Sequence, residues 1–185
     1  MDKRFPFILA TTIMVCLAIF CLAWALIFNF DPINPQNMSS MFPLLWCAFA
    51  GLGLVVAAQG SFKTLPNMLL SACCGPLYGM FFYGLLNILM GMGLSAIVSF
   101  AICAIIVTYV LALLHVVVLA NTWFNATAFV LGTYGIWFAL KNQADPSNYN
   151  WLYGTIFFLI GTAYATFIGP IAMKILAMLP KKGQQ

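Results

Sequence analysis

Polar residues in this chain are bunched, and the apolar runs between the bunches predict about six membrane-spanning helices, at residues 7–28, 41–58, 67–90, 94–120, 123–140 and 151–178. One crossing takes about 20 residues, so the spans fill the chain. The expected fold class is therefore all-α, a polytopic helical bundle in a single integral membrane domain over residues 1–185. The breaks carry turn chemistry. Asp31-Pro32-Ile33-Asn34-Pro35-Gln36-Asn37 holds two prolines that stop a helix, and Gly91-Met92-Gly93 is short enough to make spans three and four an antiparallel hairpin. The run after Trp151 is too long for one straight crossing, and Gly169-Pro170 marks the expected kink or stop near its end.

Charge then orients the bundle. Lys3, Arg4, Lys63, Lys174, Lys181 and Lys182 all fall at the N-terminus, the second connection and the C-terminal end, leaving only Lys141 on the other side. Basic residues concentrate in cytoplasmic loops, so both termini are expected in the cytoplasm. Composition agrees: 64% hydrophobic and 5% charged residues, with no glutamate, cannot clothe a soluble domain, which carries roughly 25% charged residues. The net charge of +4 is accordingly read as orientation and lipid-headgroup anchoring, with no nucleic-acid partner. The first run, residues 7–28, outlasts the apolar core of a cleavable signal and ends in bulky residues, so it is expected to stay as a helix. Six cysteines lie inside apolar runs and outside any metal-ligand spacing, which makes them packing residues.

Small residues recur at helical spacing: Ser71, Gly75, Gly79 and Gly84 in span three, and Gly161, Ala165 and Gly169 in span six. Such stripes let helix backbones approach in lipid. Gly75-Pro76 has a second reading, as a helix kink whose freed carbonyls line a water-filled path. An inverted three-plus-three repeat is an open expectation. Ala48-Phe49-Ala50-Gly51 is similar to Ala128-Phe129-Val130-Leu131-Gly132, but the two Gly-Pro pairs fall near the same side of the membrane, which an inverted repeat would not place there.

Polar side chains inside the spans are the candidate functional residues. His115, the only histidine, is either a gate near the cytoplasmic mouth or an interfacial residue bonded to a loop; Asn87, Asn125 and Thr127 are able to meet a solute or to bond a neighbouring helix. Asp2, Asp31 and Asp145 all lie in ends or loops, so a buried carboxylate relay for coupled pumping is not expected. The chain shows no phosphate-binding loop, no metal cluster and no nucleophile with a paired base; no catalysis, cofactor or metal is expected.

Trp46-Cys47-Ala48-Phe49-Ala50-Gly51, then Ala58 to Leu65, the Ser71 to Gly79 segment with its paired cysteines, and Ala128-Phe129 to Gly135 resemble the bacterial inner-membrane family called domain of unknown function 1097. The resemblance covers roughly residues 42–140 and implies a bacterial cytoplasmic membrane location. It carries over no activity and no catalytic residues. The expected role is a channel or facilitative transporter for a small uncharged or weakly ionising solute. Its pathway would run between spans two, three and five, lined by Trp46, Tyr78, Asn87, Asn125 and Thr127, with His115 as gate. The alternative is a non-transporting scaffold whose glycine and aromatic faces bind a partner subunit or further copies of the chain as a homo-oligomer. A lipid-directed enzyme, lacking an acid-base pair, ranks last.

Overall fold

Where the helices stop is set by local chemistry at each break, in a computed structural model that describes residues 4–31, 39–141 and 148–179. All regular structure among these residues is helical: α1 (Phe5–Ile27), α2 (Leu45–Ala57, entered through a 3-10 turn Phe42–Leu44), α3 (Leu65–Gly91), α4 (Ala96–Ala112, continued by a π-helical turn Leu113–Val118), α5 (Thr127–Leu140), α6 (Asn150–Ala165) and α7 (Ile168–Met178). Asn29 and Gln59, with φ of 50° and 51°, end α1 and α2 in the left-handed conformation that terminates many helices. Gly93, at φ 89°, makes the tight turn into α4, where the Ser95 hydroxyl accepts from the Val98 N–H at 3.4 Å.

Four segments are long and apolar enough to cross a membrane: α1, α3, α4 with its π turn, and α6 with α7. The other two apolar helices are shorter, Phe42–Ala57 and Thr127–Leu140. At about 1.5 Å per residue they fall short of a hydrocarbon core about 30 Å thick. Of the about six spans expected, four are thus long enough to cross and two are shorter apolar helices. The fifth helix starts at Thr127 rather than Trp123, because Thr122 and Asn125 bond backbone carbonyls of the preceding turn instead of letting the helix begin. The last run breaks at Thr166 and Phe167, ahead of Gly169-Pro170; Pro170 sits in the first turn of α7, where its missing N–H leaves no helical bond unmade. Gly75-Pro76 does not stop α3, which runs on through it. Lys3, Lys181, Lys182, Asp2, Asp145 and the loop residues 32–38 lie outside the described residues.

The helices alternate in direction. One end of the bundle collects the start of α1, the end of α2, the start of α3 and the start of α5, with Arg4 and Lys63; the opposite end carries Lys141 and Trp151. α2 packs along α6 and α3 along α5, while α1 lies against α7 and α4 against α3. Glycines set the closest approaches. A Cβ on Gly161 would strike the backbone carbonyl of Ala48, and one on Gly75 the carbonyl of Val130.

These contacts repeat. At the α3/α5 crossing the Ala72 carbonyl faces Thr133 and Gly75 faces Val130; at the α6/α2 crossing the Phe158 carbonyl faces Gly51 and Gly161 faces Ala48. The register is the same in both halves. A third pair fits without adjustment: the Trp24 indole N–H donates to the Phe42 carbonyl at 3.2 Å, and His115 Nδ1 bonds the Phe124 carbonyl. Phe42 precedes Ala48 by the same six residues that separate Phe124 from Val130. Helices α1–α3 therefore match α4–α6 with α7, and three helices per half make the second half enter from the other end. The pairing differs from the one suggested by sequence similarity. Ala48 corresponds to Val130 and not to Ala128, and Gly75 to Gly161 and not to Gly169.

Gly161→Leu should lower the thermal stability of the detergent-solubilised protein by about 2–3 kcal/mol or prevent folding, because the added atoms meet backbone that cannot turn aside. Gly84→Leu, where nothing stands within 4 Å of an added Cβ, should stay within about 0.5 kcal/mol. Equal melting temperatures for the two variants would refute this account of the crossing.

Candidate functional site

Polar groups converge at the Lys63 end, where α3 and α5 begin side by side. The chain reaches α3 through a turn closed by Thr64, whose hydroxyl donates to the Ser61 carbonyl at 3.0 Å and accepts from the Ser61 N–H at 2.9 Å. One turn into α3, the Asn67 amide donates to the Asn125 side-chain oxygen. Asn125 in turn donates to the Ala120 carbonyl at 2.5 Å, and the Ser71 hydroxyl accepts from the Ala126 N–H at 3.0 Å. A cavity of about 360 Å³ opens here, lined by Thr64, Asn67, Met68, Asn125 and Thr127 among others. A neighbouring cleft of about 250 Å³ is lined by Lys63, Thr64, Asn67, Asn121, Thr122 and Trp123. Amides and hydroxyls that both donate and accept suit a neutral, hydrogen-bonding molecule.

His115 stands beside this mouth, inside the π-helical turn that ends α4, and is 1% exposed. A carbonyl oxygen only accepts, so Nδ1 carries the proton it shares with Phe124. Tyr78 packs its ring against the imidazole, with centroids 5.6 Å apart. His115 thus anchors the α4–α5 turn, as Trp24 anchors the start of α2 in the other half.

The expected lining residues divide. Asn125 and Thr127 lie at the mouth, and His115 with Tyr78 just behind it. Trp46, 43% exposed, points out of the bundle, as does Asn87 near the far end of α3. They do not join the others. The route expected between α2, α3 and α5 is also shut in this structure. Pro76 has no N–H to give the Ala72 carbonyl, but that carbonyl does not line a path: the buried Thr133 hydroxyl donates to it at 2.5 Å from α5. One turn later the Trp137 ring covers Gly79. Gly169 and Pro170, expected at a kink or stop, lie just past the break between α6 and α7, where Gly169 lines an apolar groove of about 500 Å³ with α1 and α2.

Sequence reasoning passed over Asn67, Thr64 and Thr133. Thr64 stands at the N-cap of α3 and Asn67 lies in its first turn, at a helix start where polar residues are ordinary. Thr133 had a usable signal, since a proline inside a membrane helix requires a donor from a neighbour. Among the described residues no group of three or more His, Cys, Asp or Glu could hold a metal ion. No family model matches the chain, and no curated protein or solved structure matches it either.

Thr133→Val should destabilise the protein by about 1–3 kcal/mol by leaving a buried carbonyl unpaired. Adding Pro76→Ala restores a helical N–H to Ala72, so the double variant should recover most of that loss in thermal unfolding; additive losses would refute the pairing. Trp24→Phe and His115→Phe each delete one donor to a turn carbonyl, and each should cost about 1–2 kcal/mol. A cost at one site only would show that the two bonds are not equivalent.

Proposed function

We propose that the chain is a channel or facilitative transporter for a small uncharged or weakly ionising solute. The observation that carries this reading is the pair of short helices, α2 and α5, in corresponding positions of two end-exchanged halves. Short or interrupted helices so placed are the usual pointer to a transporter's binding site. The amide and hydroxyl mouth at the Lys63 end supports a neutral solute, and the closed α3/α5 crossing favours a carrier over an open pore. In this reading all six helical segments cross the bilayer and Arg4, Lys63 and Lys174 face the cytoplasm. The membrane is the bacterial cytoplasmic one, and the protein is not an enzyme. The competing scaffold reading draws on the same closed crossings, which also suit a subunit built only for packing against a partner or its own copies.

Purified protein in liposomes should raise stopped-flow swelling rates for one class among small neutral solutes, amines and weak acids, saturably and above empty liposomes. Empty-liposome rates for every solute, with folded and inserted protein, would favour the scaffold.

A further inference from the structure

The two ends of the bundle differ where the repeat makes them equivalent. At the Lys63 end, Val55, Val56, Gln59, Ala165, Ile168 and Gly169 border the open groove of about 500 Å³. Carried through the repeat, these positions become Trp137, Phe138, Lys141, Gly79, Phe82 and Tyr83. There the space is filled. Phe82 packs edge-on against Phe100 and Phe138 at 5.2 and 4.9 Å, Tyr83 lies 6.4 Å from Trp137, and Lys141 caps the Trp137 ring at 6.0 Å. Within this plug the Trp137 indole N–H, on a residue only 4% exposed, has no hydrogen-bond partner. A buried donor left unpaired costs about 1–3 kcal/mol, and an indole N–H can only donate.

We infer that the plug covers a second solute site, opened when the halves exchange conformations and the groove at the Lys63 end closes, with Trp137 donating to a carbonyl oxygen of a small neutral solute such as an amide. This rests on the carrier reading and deepens it. The two openings are alternatives, because each half adopts at one end the arrangement that its counterpart adopts at the other.

Native cysteines report the exchange without altering the plug. Cys103 is fully buried among Phe82 and Val107 in the plug, whereas Cys47 is fully buried in the α2/α6 crossing and reports global unfolding. In liposomes, a soluble maleimide followed by peptide mass spectrometry should alkylate Cys103 well ahead of Cys47. Gly169→Tyr, which installs at the groove the tyrosine that fills the opposite end and where an added Cβ meets nothing, should speed Cys103 about tenfold and leave Cys47 unchanged; tenfold needs a bias of only about 1.4 kcal/mol. Cys103 labelling that tracks Cys47, or that ignores Gly169→Tyr, overturns the exchange. Acetamide should speed Cys103 labelling in the native chain and not in Trp137→Phe; no acceleration, or acceleration in both, overturns the donor role. Failure of every solute to move with coupled labelling intact would refute transport alone, while transport without coupled labelling would leave a channel of fixed shape.

Discussion

A carbonyl freed inside a membrane helix has no water to turn to, and the α3/α5 crossing is arranged around one. Pro76 strips Ala72 of its helical partner, and Thr133 supplies the hydroxyl from the adjacent helix. That bond fixes the register of α5 on α3. With Thr133 on Ala72, the Val130 carbonyl must lie over Gly75 and the Trp137 ring over Gly79, so glycine is required at both places. The sister crossing meets the same geometry without a proline. Thr162 stands where Pro76 stands, its own N–H is available to Phe158, and the facing position is Gly51, which needs no hydroxyl.

This contrast explains how two halves with little visible sequence likeness share a fold. What recurs is the set of backbone approaches and the carbonyls that need a donor, and different side chains meet those needs. Trp24 and His115 are the clearest case: an indole and an imidazole, each donating to the carbonyl that precedes a short helix. His115, expected either to gate the mouth or to bond a loop, holds the loop carbonyl of Phe124 in the same way that Trp24 holds Phe42. The polar mouth has no such counterpart. Asn67 and Asn125 fall opposite Tyr153 and Pro43, so hydrogen-bonding capacity is concentrated at one end and aromatic surface at the other.

Apolar run length and turn chemistry are local properties, and they made the helical membrane class and the approximate segments legible from the chain alone. The Gly75 and Gly161 stripes were legible for the same reason, since close approach in lipid demands small residues at helical spacing. Which helix each stripe meets was not. Asn87 and Trp46 resemble Asn125 and Tyr78 in chemistry, yet they lie toward the ends of α3 and α2 far from the mouth and face outward, while Asn125 lines the mouth and Tyr78 packs on His115 just behind it. The repeat was hidden because its register joins Ala48 to Val130 and Gly75 to Gly161, against the pull of the matching Ala-Phe and Gly-Pro pairs. The sequence by itself determined the solvent this protein is built for, because burial of apolar length depends on composition. Only the tertiary structure decided which carbonyl meets which donor, because that depends on helix rotation and register, and those are settled jointly by every backbone contact across the crossings.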